Sequence, residues 1–344
     1  MRIERFDPNA DGGRLQACFE LYEAARQHDD PAGPPYSRPA FTGWWGTGFS
    51  ADPRQAWLAS EATGPVGCYL LELPGWENTR LGDVTLIVDP AARRRGLGTA
   101  LLAHCCEQAR EAGRGRVTAE VLQDGPGDAF ARAAGGTAGL TEVRRILPAD
   151  DGLPERLARL RGEAETKAGG YELLTWAGLT PPEFRDQVAA VSQAMNDAPR
   201  EDSIEPERWD ADRVRIVEEM PVKHGLRLYS AAARYPATGE LAALTQLLFD
   251  PQTPEWGFQL LTAVIRPHRG HRLGLLVKAV THQWLTEAEP AVRRVVTSNS
   301  ETNQHMIAIN EAIGYRPTAR LRSWELSIPE YLAGGRDSYA SSAS

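Results

Sequence analysis

The sequence of 344 residues contains only four cysteines and has no apolar run long enough to cross a membrane. A membrane-spanning helix needs about 20 mostly apolar residues. The first residues also lack the apolar core of a signal peptide. No CxxC spacing typical of zinc or redox sites links the cysteines, which are Cys18, Cys68, Cys105 and Cys106. We therefore expect buried, reduced thiols in a cytoplasmic protein without membrane contact.

An excess of positive charge is also missing. The formal net charge is −8, from 38 Lys and Arg against 46 Asp and Glu. This balance argues against nonspecific nucleic-acid binding, which needs a basic face. The hydrophobic fraction of 42% is ordinary for a globular protein. A chain of this length exceeds the size at which one core keeps growing, so we expect two domains.

Several common functional signatures are absent. No GxGxxG follows the first strand of either half, and no GxxxxGK[ST] occurs, which argues against a dinucleotide fold and a P-loop. No GxSxG elbow supports a serine hydrolase. His268 and His271 are close together, but no cysteine or third ligand lies near them. We therefore expect no metal site.

One pattern occurs twice. Residues 90–102 read PAARRRGLGTALL, and residues 267–279 read PHRGHRLGLLVKA. Each copy follows a β-branched stretch, DVTLIVD or QLLTAVIR, and continues into an apolar pattern of helical period. A strand, a glycine-rich turn and a helix start leave the first helical amides unpaired, and such amides bind anions.

The same order of elements surrounds both copies, which indicates an internal duplication. We predict an α/β fold of two domains, each a twisted, mostly antiparallel mixed sheet flanked by helices. The first domain spans 1–148 and the second 171–330. A linker helix at 149–170 carries Leu153, Leu157 and Leu160 on one face and is expected to dock on a domain. Residues 331–344 are predicted to be a disordered tail.

The duplicated pattern resembles the signature of the GCN5-related N-acetyltransferase (GNAT) superfamily, Arg/Gln-x-x-Gly-x-Gly/Ala between the fourth strand and the third helix. The first copy matches it fully from Arg93 to Gly98, and the second has Arg272 at the middle glycine. The resemblance covers nearly the whole chain as two tandem domains. It implies that coenzyme A binds with its pyrophosphate on the loop, where glycines let backbone amides approach.

The resemblance also implies that the fourth and fifth strands splay apart and that pantetheine bonds along the fourth, where a backbone amide polarises the thioester carbonyl. The residues expected to contact acetyl-CoA in the first half are Leu86, Ile87, Val88, Arg93, Arg94, Arg95, Gly96, Leu97, Gly98 and Thr99. Those in the second half are Ala263, Val264, Ile265, Arg269, Gly270, His271, Arg272, Leu273 and Gly274.

The family's proton donor is usually a tyrosine in the pattern Asn-x-x-Ala-x-x-x-Tyr-x-x-x-Gly. The second half keeps this frame from Asn303 to Gly314, but Asn310 stands at the tyrosine position. The first half has Ala131 there. The base is commonly a carboxylate early in the fourth strand. The candidates are Asp83 in the first half, Glu255 and Gln259 in the second, and Glu325 on the last strand. The predicted catalytic set is Glu255, Gln259, Asn303 and Asn310.

The acceptor is implied to enter under the loop between the first two helices. In the second half this loop reads MNDAPREDSIEPERWD, and its acidic rim would attract a protonated amine. We expect Asn196, Asp197 and Glu201 to bind the substrate. The matching loop of the first half is stiffer and aromatic.

These observations predict an N-acetyltransferase that moves acetyl from acetyl-CoA to a primary amine of a small molecule by direct attack. The second domain would be catalytic, and the first would bind acyl-CoA or serve a structural role. Two alternatives stay open: an acyl-CoA sensor without turnover, and a transferase of a longer acyl group. The protein would be a monomer in which the tandem pair imitates a dimer, or a homodimer.

Overall fold

The chain forms two compact units. The computed structural model describes the backbone of residues 1–340 and the side chains of residues 1–334. The first unit comprises Met1–Thr141, Ser203–Glu205 and the chain from Arg320 onward. The second unit comprises Glu142–Asp202 and Pro206–Ala319.

The first half of the chain alternates strands and helices in the predicted order. Its elements are β1 (Arg2–Phe6), α1 (Gly12–Asp29), α2 (Arg38–Gly46), β2 (Arg54–Glu61), β3 (Gly64–Glu72), β4 (Leu81–Val88), α3 (Leu97–Glu111), β5 (Arg116–Leu122), α4 (Pro126–Ala133) and β6 (Thr137–Pro148). The apolar residues of α1 and α2, among them Cys18 and Trp45, cover one face of the sheet. Those of α3, among them Leu101, cover the other.

The second half repeats this order after a connecting helix. Its elements are α5 (Leu153–Lys167), β7 (Glu172–Ala177), α6 (Arg185–Gln193), α7 (Ala211–Lys223), β8 (Arg227–Tyr235), β9 (Glu240–Phe249), β10 (Trp256–Val264), α8 (Leu273–Ala288), β11 (Arg294–Ser300), α9 (Gln304–Ile313), β12 (Arg316–Ser327) and α10 (Ile328–Ala340). Helices α6 and α7 cover one face of this sheet, and α8 covers the other.

The last strand of each half, β6 or β12, pairs with a strand of the other half. We call β6 and β12 the exchanged strands. In the first unit, β12 lies antiparallel to β5 from Leu321↔Leu122 to Ser327↔Arg116. In the second unit, β6 lies antiparallel to β11 from Glu142↔Ser300 to Pro148↔Arg294. The strand order is therefore β1-β2-β3-β4-β5-β12 in the first unit and β7-β8-β9-β10-β11-β6 in the second. The sequence repeat and the compact units divide the chain differently.

The splay of the fourth and fifth strands occurs in both units. Strand β4 runs parallel to β5 for three pairs, the last of which is Asp83↔Thr118. Strand β10 runs parallel to β11 for three pairs, the last of which is Phe258↔Val296. Beyond these points the paired register ends while both strands continue. The predicted α/β fold, with mostly antiparallel sheets and splayed central strands, is confirmed.

Two predictions about the connecting segments need correction or refinement. The linker helix is shorter than 149–170, and Leu153, Leu157 and Leu160 are buried in the core of the second unit. The predicted tail is helical from its start to Ala340, because Ile328 and Tyr331 of α10 pack against the apolar face of α3 in the first unit. Residues 341–344 lie outside the described residues. All four cysteines are free and buried. None of the helices described in residues 1–340 is long and apolar enough to cross a membrane.

Candidate coenzyme A and acceptor site

The two glycine-rich loops have the same backbone conformation with glycine and arginine interchanged. In the first loop, Arg94 and Gly96 are left-handed, with φ of 66° and 81°. In the second loop the equivalent positions are Gly270 and Arg272, with φ of 87° and 58°. The departure of the second loop from the signature therefore leaves its backbone path unchanged, because Arg272 adopts the conformation that glycine would take at less cost.

Each loop ends at a helix whose first amides are open. Neither α3 nor α8 receives a side-chain cap hydrogen bond in the described chain. A Cβ atom added at Gly98 would lie 3.4 Å from the Phe130 ring, and one added at Gly274 would lie 3.4 Å from Ile309. The second signature glycine thus lets α4 or α9 pack closely against the helix start. Unpaired amides with the positive end of a helix dipole behind them fit a pyrophosphate.

The first arginine of each loop is bound to a carboxylate of its own unit. Arg93 donates to both oxygens of Asp29 at 2.7 Å, and Arg269 donates to Asp197 at 2.6 Å. Burial acts to raise the pKa of Asp29, but hydrogen bonds from Arg93 and His28 outweigh it and lower that pKa. These two arginines brace the loops, so the backbone amides at each helix start are the groups left open to an anion.

Asp197, predicted to bind the acceptor, is held by the loop that follows β10. Hydrogen bonds from Arg266 and then Arg269 lower its pKa to about 2. Arg266 Nη2 lies 2.8 Å from Asp197. The Asp197 carboxylate is therefore bound to two arginines of the loop and does not stand free among the acidic residues of its segment.

The remaining charged side chains of the loops differ in their engagement. Arg95 pairs with Glu61 at 2.8 Å, and Arg272 approaches Glu163 at 3.4 Å. Arg94 is exposed and has no ion-pair partner among the described side chains. It is therefore free to meet a phosphate.

The histidines of the second loop are held by the fold. His268 is 7% exposed and lies between the Tyr171 hydroxyl, at 2.7 Å, and Glu240, at 3.0 Å. His271 contacts the carbonyl of His268 at 3.3 Å. His268 therefore fixes the loop. No group of three or more His, Cys, Asp or Glu residues in the described chain is placed to hold a metal ion.

The predicted pantetheine residues lie along the splayed edges. Leu86, Ile87 and Val88 follow the last β4–β5 pair but still pair with β3. Ala263 and Val264 follow the last β10–β11 pair and still pair with β9, and Ile265 comes directly after the strand. In each unit the edge of the fourth strand that faces the fifth is free to receive another extended chain.

A β-bulge at the splay distinguishes the second unit. Gln259 pairs with Leu247 and Thr262 pairs with Thr245, so three steps on β10 oppose two on β9. The described pairing of β3 with β4 contains no such shift. A bulge leaves one residue out of the ladder and so exposes its backbone groups. Leu260, inside the bulge, is 42% exposed.

The Gln259 side chain has one unused acceptor at this bulge. Its Nε2 lies 2.8 Å from the Gln246 carbonyl oxygen and 3.0 Å from Thr245 Oγ1. Because carbonyl oxygens only accept, this contact fixes the amide orientation. Gln259 is 7% exposed, and its Oε1 has no hydrogen-bond partner in the described structure. An unpaired buried acceptor is costly, so a hydrogen-bond donor placed beside Oε1 would be stabilising.

A buried carboxylate that the sequence did not reveal contacts the Gln246 side chain. Glu218 on α7 is 3% exposed and accepts hydrogen bonds from the Thr180 amide at 2.7 Å and the Thr180 hydroxyl at 2.6 Å. Gln246 Nε2 donates to it at 2.7 Å. Glu218 is followed by another glutamate in an amphipathic helix, so no sequence signal separates it from a surface residue.

Asn310, at the position of the family's tyrosine, is fully buried. Its Oδ1 accepts from Lys278 Nζ at 2.6 Å, and its Nδ2 donates to Asn299 Oδ1 at 2.5 Å. Lys278 was missed by the sequence reasoning. Its signal was available, because it is a charged residue inside the apolar run LGLLVKAV.

Two other predicted residues of the second half hydrogen-bond to backbone, and a third lies in an exposed turn. Asn303 caps α9 by accepting from the Met306 amide at 3.2 Å. Asn196 brackets the backbone of Glu207 at 2.8 and 2.9 Å. Glu255 lies exposed in the turn before β10.

The loop MNDAPREDSIEPERWD, under which the acceptor is predicted to enter, is divided between the units. Glu201 belongs to the second unit, whereas Ser203–Glu205 belongs to the first. There Asn78 Oδ1 accepts from the Glu205 amide at 2.8 Å. Glu325, predicted as a base of the second half, lies in the first unit on the exchanged strand β12 and pairs with Arg116.

The first unit has carboxylates at its own splay. Asp83 is exposed, accepts from Thr118 Oγ1 at 3.3 Å and lies opposite Glu72 in the β3–β4 register. Burial raises the pKa of Glu72. Its carboxylate accepts a hydrogen bond from Trp44 Nε1 at 3.1 Å and pairs with Arg54. In the second unit the register places Phe258 and Leu248 at the positions of Asp83 and Glu72.

Comparisons with known proteins agree with this geometry. The sequence profile of the acetyltransferase (GNAT) family matches residues 15–131. A tandem GNAT protein from the clavulanic acid biosynthesis pathway, solved without acetyl-CoA, is 29% identical. The match covers 95% of this chain and 98% of that chain with a TM-score of 0.77. No curated protein sequence matches significantly.

Two more distant structures share the fold. A GCN5-related N-acetyltransferase from Sphaerobacter thermophilus is 16% identical, with a TM-score of 0.66 and 95% of each chain covered. The Saccharomyces cerevisiae N-myristoyltransferase, solved with myristoyl-CoA and inhibitors, is 12% identical with a TM-score of 0.60. That match covers 95% of this chain and 80% of the other. The family match shows a GNAT domain in the first half, and the match to a tandem GNAT protein over 95% of the chain shows the tandem GNAT architecture.

Proposed function

We propose that the protein is an acyl-CoA-dependent N-acyltransferase that moves an acetyl group to a primary amine of a small molecule, and that transfer takes place in the second unit. The observation that carries the proposal is the bulge of β10. It places the exposed Leu260 and the unpaired Oε1 of Gln259 just after Phe258, the last residue of β10 that pairs with β11.

Acetyl-CoA supplies the activated thioester when it is bound. The open amides at the start of α8 hold the pyrophosphate, and the free edge of β10 receives the pantetheine arm. A backbone amide freed by the bulge polarises the carbonyl. Gln259 Oε1 accepts a hydrogen bond from the attacking nitrogen and so orients its lone pair.

The proton that leaves this nitrogen has to cross to a base. The candidate base is Glu218, a buried carboxylate of α7 that accepts a hydrogen bond from the Gln246 side chain.

The first unit, on this proposal, binds acyl-CoA or serves a structural role. A second candidate is transfer in the first unit, favoured by the carboxylates of Asp83 and Glu72 at its splay. These groups suit a cationic amine, and the equivalent positions of the second unit are apolar.

Calorimetric titration with acetyl-CoA, combined with thiol release in the presence of amino sugars, polyamines and other primary amines, separates these candidates. The variants are Gly98→Glu and Gly274→Glu, each of which adds a negative charge at one helix start, where a Cβ meets the Phe130 ring or Ile309. Loss of transfer only in Gly274→Glu supports the proposal. Loss only in Gly98→Glu reverses the assignment. Binding without thiol release for any amine would indicate a sensor, and absence of binding would overturn the acyl-CoA function.

Two further variants test the acceptor side. Gln259→Leu is expected to lower kcat/KM for the amine at least tenfold and to leave acetyl-CoA affinity unchanged, because it removes one orienting acceptor. Asp83→Asn is the matched variant of the first unit and is expected to have little effect. The opposite ranking would favour the second candidate. Replacing acetyl-CoA by longer acyl-CoA thioesters in the same assay tests chain length.

A further inference from the structure

Lys278 is a fully buried lysine in the core of the second unit. It lies in the sixth position of α8, between Val277 and Ala279, and is 1% exposed. Burying an ammonium group is expensive unless its protons are bound. Such a residue requires an explanation, since a leucine or methionine would fill the same volume.

The ammonium is connected to the splay of β10 and β11. Lys278 Nζ donates to Asn310 Oδ1 at 2.6 Å, and Asn310 Nδ2 donates to Asn299 Oδ1 at 2.5 Å. Asn299 lies on β11 beyond the last β10–β11 pair and is partly exposed. The hydrogen-bonded chain thus runs from a buried charge to the region that receives the thioester. Asn310 leaves the other protons of the ammonium available, and the Tyr315 ring lies 5.1 Å from Nζ.

The first unit lacks this chain. Aligning Leu97 with Leu273 at the helix starts places Leu102 at the position of Lys278. Aligning Arg116 with Arg294 at the strand starts places Val121 at the position of Asn299. Ala131 occupies the position of Asn310 in the family frame. The fold therefore does not need these polar groups, because the same architecture forms with apolar ones.

The titratable groups that face Lys278 are neutral near pH 7. His282 Nδ1 donates to the Lys278 carbonyl oxygen at 2.7 Å, which leaves Nε2 to accept from the Tyr315 hydroxyl at 2.7 Å. Burial and then the charge of Lys278 lower the pKa of His282 to about 3. Burial raises the pKa of Tyr315 well above its usual value.

The elements packed against α8 contribute arginine side chains. Arg156 of α5 donates to the Ile313 carbonyl oxygen at the end of α9, and Arg161 of α5 donates to Gln283 of α8. The apolar core around α8 includes Leu157, Ala233 and Leu247. Burial therefore acts on Lys278 without a compensating carboxylate and lowers its pKa to about 7.

We propose that the Lys278 ammonium, held by Asn310, donates the proton to the sulfur of coenzyme A as the thioester breaks. This inference rests on transfer in the second unit. The amine nitrogen forms the new C–N bond, the C–S bond breaks with its electron pair on sulfur, and Lys278 gives one proton to that sulfur. The amine loses one proton to its base, and Lys278 recovers one from solvent, so the reaction balances.

The surroundings make lysine a competent acid for this step. An ordinary lysine, with a pKa of about 10.4, would protonate a thiolate of pKa about 8.5 only uphill. Burial removes this barrier, because a group of lower pKa than the thiol gives up its proton downhill. The tyrosine of the family frame is replaced in this way by a lysine from the neighbouring helix.

The test compares Lys278→Met with Leu102→Met, the same change at the equivalent position of the first unit. Lys278→Met is expected to lower kcat about 100-fold, in the range of a lost general acid, with acetyl-CoA affinity within threefold of wild type. Wild-type kcat is expected to fall as the pH rises through about 7, because the donor must be protonated. This alkaline limb should disappear in Lys278→Met, whereas Leu102→Met should retain rate and profile.

Asn310→Asp provides the second variant. A carboxylate beside the ammonium favours the charged form, so the alkaline limb of kcat should move to higher pH. A limb that stays in place in Asn310→Asp, or full kcat in Lys278→Met, overturns the role of Lys278. If Gly274→Glu also stays active, the transfer site itself is in the first unit and the proposed function fails. If Gly274→Glu is inactive, only the role of Lys278 is rejected.

Discussion

Arg269 donates to the carboxylate of Asp197 at 2.6 Å, so the first arginine of the second loop is already paired inside the protein. The same side chain donates to the Val264 carbonyl oxygen at 3.1 Å. These two bonds tie the loop to the segment after α6 and to the end of β10. The arginine thereby fixes the loop in position.

This arrangement predicts a modest effect of Arg269→Gln. Acetyl-CoA binding should weaken less than tenfold, because a braced loop loses one contact but keeps its amides. Gly274→Glu in the same titration should abolish binding at that site. A loss of more than 100-fold in Arg269→Gln would show that the guanidinium itself carries the phosphate.

Arg272 holds a left-handed conformation that Gly96 holds in the other loop, with φ of 58° and 81°. Arg272→Gly should raise stability by about 1 kcal/mol, because a side chain in this region costs about that much. The exposed ion pair with Glu163 contributes little. Differential scanning calorimetry measures the change as a higher Tm.

Gly96→Arg is the reciprocal substitution. A Cβ at Gly96 meets nothing within 4 Å, so only the backbone conformation opposes it. Its Tm should fall by an amount similar to the gain in Arg272→Gly. Equal signs for the two variants would contradict the conformational explanation.

Asp128 ties α4 to the exchanged strand in the first unit. It is 1% exposed and accepts from Trp324 Nε1 at 2.9 Å and from Arg322 at 3.1 Å. Burial acts to raise its pKa, but the bonds from Trp324 and the Asp124 amide, with the charges of Arg322 and Arg132, outweigh it and lower that pKa.

Asp128→Asn should therefore destabilise the protein by about 3 kcal/mol at pH 7, because it leaves buried donors without their charged partner. The depressed pKa means that this stability is present above the unfolded pKa of about 3.9 and is lost as the pH falls through the folded value. Urea titrations of wild type and variant should converge below pH 4. A difference that persists unchanged in acid would contradict the linkage.

The exchanged strands predict that the first half does not fold alone. A fragment of residues 1–148 lacks β12 and α10, whose Leu326 and Ile328 lie in the core of the first unit. It also leaves the edge of β5 unpaired, which favours aggregation. Circular dichroism should show no cooperative melt for the fragment, and coexpression with residues 149–344 should restore one. A cooperative melt of the fragment by itself would contradict this prediction.

The local features of the site could be predicted from the sequence because they depend on neighbouring residues. The strand before Arg93, the turn at Gly96 and the helix after it follow from β-branched runs, glycine and helical period within about 20 residues. The duplication was visible for the same reason. Asn310 was found through its spacing from Asn303, although its partners were not.

The features that decide chemistry in this fold depend on distant partners. Strands β6 and β12 have suitable patterns for either sheet, so sequence periodicity cannot tell which fifth strand each will join. Asp197 looked like a free acidic residue until the loop placed Arg266 and Arg269 against it.

The sequence by itself determined two α/β repeats with an anion-binding loop in each, because local periodicity and glycine placement specify a strand, a turn and a helix. Only the tertiary structure decided which strands close each sheet and where β10 bulges. It also decided that Lys278 of α8 bonds to Asn310 of α9. These outcomes follow from burial and hydrogen bonding between residues far apart in the chain, which no short pattern encodes.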